Sequence, residues 1–103
     1  IALRSNDYVD QFKTIATELK NHPNTLGVLL GNQNDKAILF VSVGKNLLEK
    51  GYSAKEVIKK ASNLIKGGGG GQDFLATAGG KDTSKFEEVL QLAEAYAGSS
   101  EEN

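Results

Sequence analysis

The sequence predicts an α/β fold, a small mixed β-sheet covered by helices in the order α-β-β-α-β-α. Three observations carry that expectation. Val57, Ile58, Ala61, Leu64 and Ile65 fall on one helical stripe with Lys55, Lys59 and Lys60 off it, the pattern of a helix with one buried face. Ala37-Ile38-Leu39-Phe40-Val41 is apolar without alternation, as expected of a strand covered on both faces. Two such apolar runs flank Gly31-Asn32-Gln33-Asn34-Asp35, which reads as a hairpin with a five-residue loop.

Taken in order, Tyr8, Phe12, Ile15 and Leu19 recur at helical spacing and predict a helix over roughly Asn6 to Asn21. Pro23 stops it, because the residue before a proline is pushed out of helical geometry. Residues 1–24 thus form a leading helix and turn, and His22, the single histidine, is expected to be a turn residue. Strands follow at Leu26 to Leu30 and Lys36 to Val43, then a helical turn over Asn46 to Lys50 ending at Gly51. Ser53 opens the next helix, with Glu56 placed for a capping box, and Gly67 stands where a left-handed C-cap glycine would end it. Phe74 to Ala78 predicts the third strand, antiparallel or joined by a right-handed crossover if parallel. Gly79-Gly80 breaks that strand. A last helix over Ser84 to Ala97 carries Phe86, Val89, Leu90, Ala93, Tyr96 and Ala97 as its buried stripe, started by Asp82 or by a Ser84 to Glu87 capping box. Gly98 to Asn103 is expected to be a disordered tail.

A chain of 103 residues is one domain on size alone. It opens on Ile1 with no charged-then-apolar leader, so it is expected to be a piece of a longer polypeptide. No run is long enough to cross a bilayer. The absence of cysteine excludes disulfides and thiolate metal sites and fits a reducing compartment. The net charge of −1 conceals an asymmetry: between Lys45 and Lys81 seven lysines stand against Glu49, Glu56 and Asp73, whereas from Asp82 onward Lys85 stands against six acids. Positive charge beside the glycines has two readings, a field for an anionic partner or a solvated helix face.

Catalysis finds little support. His22 has no evident partner, Asp73 and Asp82 lack a third group to tune them, and no ligand spacing suggests a metal. Aligning a Walker loop on Gly80-Lys81 puts Leu75 at its first glycine and Asp82 at its hydroxyl position, so the motif fails. The dinucleotide fingerprint fails on context, because Gly67 to Gly71 follow a helix and precede a strand. Bare glycine backbone with lysines nearby remains suited to phosphate contact. Gly79-Gly80-Lys81, ahead of the last helix, is a candidate anion site at its N-terminus. A flexible linker and a tight turn are the simpler alternatives for the two glycine tracts.

Read together, GGGGGQDFLATAGGKDTSKFEEVL resembles the C-terminal segment of alanyl-tRNA synthetases, part of the DHH-associated domain family that also occurs in RecJ-type nucleases. The resemblance covers about Leu26 to Ala97. It rests on Gly67 to Gly71, on Ala78-Gly79-Gly80-Lys81-Asp82 and on Ser84 to Leu90. Where the synthetase pattern has Arg-Pro-Asp after the glycines, this chain has Gln72, Asp73 and Phe74, so a cationic contact falls to Lys66 or Lys81. The histidine that RecJ-type members carry after the glycines is missing. The resemblance implies a cytoplasmic tRNA-binding module that grips the outer corner of tRNA and helps aminoacylation and editing domains act on one bound molecule. The implied site is Lys66, Gly67, Gly68, Gly69, Gly70, Gly71, Gln72, Gly79, Gly80 and Lys81, with no catalytic residue and no cofactor in this segment; ATP, Mg and an editing-domain Zn belong to the parent enzyme. The other implied partners are the rest of that synthetase and a second copy, since family members often dimerise through this region. Phe74 is either a group that stacks on a base or a core residue sharing a face with Ala76 and Ala78.

Overall fold

The computed structural model describes residues 2–4, 11–19 and 21–99. Along the chain come β1 (Ala2–Arg4), α1 (Phe12–Leu19), β2 (Leu26–Gln33), β3 (Lys36–Val43), α2 (Lys45–Glu49), α3 (Ala54–Leu64), β4 (Gly67–Gly71), β5 (Leu75–Gly80) and α4 (Phe86–Ser99). They form one five-stranded mixed sheet in the order β1-β2-β3-β5-β4. β1 pairs parallel with β2, and the remaining neighbours are antiparallel. The expected α-β-β-α-β-α order is present, with β1, α2 and β4 added. The first five residues of the predicted leading helix, Asn6 to Asp10, and the tail from Ser100 onward lie outside the described residues. α4 runs on through Ser99, two residues into the segment expected as tail.

The unalternating β3 is apolar because both its faces are covered. Ala37, Leu39, Val41 and Val43 pack with Val57, Ile58 and Ala61 of α3 and with Phe86, Val89 and Ala93 of α4. Ile38 and Phe40 turn the other way, toward Phe12, Ala16 and Leu19 of α1. The Phe12 and Phe40 rings meet edge to face at 6.1 Å, a geometry worth about 0.5–1.5 kcal/mol beyond area burial.

Several local expectations are corrected. The β2–β3 loop is a two-residue turn rather than five, because Gly31, Asn32 and Gln33 pair with Ile38, Ala37 and Lys36. Asn34 and Asp35 hold φ of 56° and 63°, the doubly left-handed turn whose twist suits a two-residue hairpin. The Ser53–Glu56 capping box does not form: Ser53 is the N-cap of α3 without a side-chain cap bond, and its hydroxyl donates to the Asp73 carboxylate at 2.8 Å instead. Lys66, at φ 54°, takes the left-handed position after α3 that Gly67 was expected to hold.

The largest correction concerns the glycines. Gly67 to Gly71 are neither a loop nor a linker but the edge strand β4, paired with β5 from Gly67↔Gly80 to Gly71↔Ala76. Since β4 and β3 both run antiparallel to β5, the crossover through α3 joins β3 to β4, and β5 inserts between them. Gly79 and Gly80 belong to β5 rather than ending it.

Candidate nucleic-acid interface

β4 lies fully exposed at the sheet edge, where a strand presents a row of unpaired N–H and C=O groups. Its backbone approaches β5 closely enough to require glycine at alternate positions. A Cβ at Gly67 would come within 1.9 Å of the Gly79 carbonyl oxygen, and one at Gly69 within 2.1 Å of that of Thr77. At Gly71, φ is 148° and a Cβ would meet the Leu75 carbonyl oxygen at 2.6 Å. Side chains at Gly68 and Gly70 would enter open space. Three of the five glycines are therefore explained by packing, and the other two leave bare backbone with room above it.

The structure brings the sequence-predicted residues together at two ends of this hairpin. At one end Lys66 and Lys81 are neighbours: the Lys81 amide points to the Lys66 carbonyl at 3.5 Å, and the Asp82 amide donates to the Ile65 carbonyl at 2.9 Å. Both lysines are exposed. The Asp82 carboxylate accepts hydrogen bonds from the Ser84 hydroxyl and amide. Those bonds, with the nearby charges of Lys66 and Lys85, hold its pKa below the ordinary aspartate value. This end is not a helix N-terminus, because Gly79 and Gly80 are in β5 and α4 starts only at Phe86.

Gln72 lies at the opposite end, just past β4, whose four steps from Gly67 to Gly71 span about 13 Å at roughly 3.3 Å per residue. It starts the tight turn in which its amide donates to the Leu75 carbonyl at 2.8 Å. The tip of this turn is fastened to the rest of the fold. The Ala54 amide donates to the Asp73 carbonyl at 2.8 Å, and the Val43 amide to that of Phe74 at 2.9 Å. The Asp73 side chain sits at the start of α3, bonded to Ser53 and 3.8 Å from Lys55, where a carboxylate also suits the helix dipole. Phe74 precedes β5 and is 39% exposed. The reading that placed it with Ala76 and Ala78 in the core is corrected.

Lys55 and Lys59 are exposed, as their place off the buried stripe predicts, and both line an open groove of about 360 Å³ between α3 and β4, with Ile58, Ser62 and Gly68 to Gly70. The signal that could have found them was their four-residue spacing on a helix that leads into the glycines. His22 takes the structural role expected of it: its carbonyl packs on Gly44, where a Cβ would come within 2.2 Å. No three His, Cys, Asp or Glu among the described residues gather as a metal site. Extended bare backbone bordered by exposed ammonium groups suits electrostatic contact with a polyanion.

The fold is that of a recognised class of module. The chain belongs to the DHHA1 domain family, which matches residues 4–99. Among its relatives, the alanine-tRNA ligase of Oceanobacillus iheyensis is 39% identical over 89 residues, covering 85% of this chain and 10% of the ligase. That of Bacillus subtilis is 39% identical over 87 residues, with 84% and 10% covered. The fold matches the crystal structure of the C-Ala domain from Aquifex aeolicus alanyl-tRNA synthetase with a TM-score of 0.78 and 26% identity, over 94% of this chain and 86% of that one. The chain thus spans about a tenth of the length of the curated relatives it matches. No described helix is long and apolar enough to cross a membrane.

Proposed function

We propose that this chain is the tRNA-binding C-terminal module of a cytoplasmic alanine-tRNA ligase, holding the outer corner of the tRNA while domains elsewhere in the ligase aminoacylate and edit its end. ATP, Mg and Zn chemistry belongs to those other domains, and the rest of the ligase is the module's constant partner. The observation that carries the reading is the bare edge strand β4 with Lys66 and Lys81 side by side at its end.

Lys66 adds a specific point. A non-glycine residue in the left-handed region costs about 1–2 kcal/mol, and glycines occupy the next five positions. A lysine kept at φ 54° among glycines is backbone strain retained where a charge is useful, a pattern typical of functional sites. The tRNA corner is a feature of shape, so it is met by backbone contacts and by stacking on base faces rather than by reading base edges. Exposed Phe74 at the hairpin tip supplies a stacking surface, and Phe74→Ala should weaken binding by about 1–3 kcal/mol.

A salt titration of binding to intact tRNA, with an RNA hairpin lacking the corner as control, tests the reading. Preference for intact tRNA with a clear salt slope is the expected result. Equal binding to both, or none, would contradict it. The open β4 edge favours a second reading, edge-to-edge pairing of the glycine strand with another copy of the chain, in place of the spacer role expected for the glycines. Sedimentation separates the two: a stable dimer without tRNA affinity supports pairing, and a monomer that binds tRNA removes it.

A further inference from the structure

Lys55, Lys59 and Ser62 follow one another at helical steps along the flank of α3 that faces β4, and Lys66 continues the same spacing past the helix end. From Lys55 to Ser62 this flank runs about 10 Å at about 1.5 Å per residue. Opposite it, Gly68 to Gly70 form the other wall, and Ile58 lines the groove between. The Ser62 hydroxyl donates to the Ile58 carbonyl at 2.7 Å, which leaves the two ammonium groups as the strongest donors in the groove.

The groove is open rather than enclosed, so it fits a strand passing through it better than a small molecule held within it. Its chemistry is that of a polyanion track, cations on one wall and bare peptide on the other. The one described acid paired to it, Asp73, stands at the far end, 3.8 Å from Lys55. Lys60, also on α3, lies on the α4 side with its ammonium 5.6 Å from the centre of the Tyr96 ring.

We infer that Lys55 and Lys59 are phosphate-binding residues, and that an RNA strand lies in the α3–β4 groove against Gly68 to Gly70. This rests on the tRNA-binding reading and extends its site beyond the glycine strand and Lys66 and Lys81, onto α3. The proposal makes Lys60 a neighbour that takes no part.

The test is a salt titration of tRNA binding by the wild-type chain and by three variants: Lys55→Ala with Lys59→Ala, Lys66→Ala with Lys81→Ala, and Lys60→Ala. Each lost phosphate contact lowers the slope by about 0.7–0.9. The expected result is a loss of about 1.5 for the Lys55/Lys59 pair, no change for Lys60→Ala, and restoration when both residues of the pair become arginine. All four lysines that are paired for removal are exposed, and circular dichroism checks that the variants fold. A Lys55/Lys59 variant with the wild-type slope, beside a reduced slope for Lys66/Lys81, overturns the inference and leaves the tRNA reading standing. A wild-type chain with no salt-dependent preference for tRNA overturns both.

Discussion

Two antiparallel hairpins among the described residues have opposite chemistry. β2–β3 is a ladder of large side chains: Leu29, Leu30, Leu39, Val41 and Val43 are all but fully buried, and the apolar positions of both strands serve one of two cores. β4–β5 uses the same backbone ladder with few side chains, since β4 is glycine throughout and β5 offers Leu75, Ala76, Thr77 and Ala78 before Gly79 and Gly80. The first hairpin is stabilised by apolar burial, the second by backbone pairing and by its anchorage to α3. A strand stripped of side chains adds little to a core, and it exposes a flat peptide surface that a strand of valines would cover.

Substitutions can break that contrast. The largest effect is expected in the first hairpin, where Leu39→Ala should lose about 2–5 kcal/mol in denaturant unfolding, because the cavity opens at the centre of the core. Within β4 the effect should alternate. Gly69→Ala, whose Cβ meets the Thr77 carbonyl oxygen at 2.1 Å, should cost about 1–3 kcal/mol through overpacking against rigid backbone. Gly68→Ala, with nothing within 4 Å, should be neutral or stabilise by up to about 1 kcal/mol by restricting the unfolded chain. Equal losses at the two positions would mean that the strand is not held against β5 as described.

The contrast also explains what was legible in the sequence. Side-chain patterns carried the information for α3, α4, β2 and β3, and the lack of alternation in β3 announced two covered faces. Backbone pairing leaves no such trace. Glycine is disfavoured in strands, so Gly67 to Gly71 read as a break, although their ladder partners are legible only once β5 is in place. The same reason hid the extension of β2 through Gly31 to Gln33, residues without apolar side chains that the ladder holds. Ser53 was read from a local capping rule, whereas its hydroxyl serves Asp73, twenty positions along the chain. Of the candidate site, Lys66, the glycines and Lys81 could be named from sequence. Their division between two ends of a hairpin, and the contribution of Lys55 and Lys59, depend on tertiary packing.

Smaller effects sharpen the picture of how the glycine hairpin is held. Asp73→Ala removes the acceptor of the Ser53 hydroxyl and the partner of Lys55. It should lower stability by about 1 kcal/mol, the scale of one exposed hydrogen bond, and raise hydrogen exchange at Gln72 to Leu75 more than in β3. The smallest effect is at Asp82. Its folded pKa is depressed, first by the Ser84 hydroxyl bond. Its contribution is therefore complete above the unfolded value of about 3.9 and is lost as pH falls through the folded one. Asp82→Asn should leave stability at neutral pH slightly reduced and flatten its decline below about pH 4, as read from acid unfolding curves.

The most direct test of the central claim, that the glycine strand and its lysine flank form an RNA-binding surface, is hydrogen exchange across the chain with and without intact tRNA. The account predicts slowed exchange at Gly67 to Gly71 and along α3 beside the groove, with α1 on the opposite face of the sheet unchanged. Protection confined to α1, or none on β4, would contradict it.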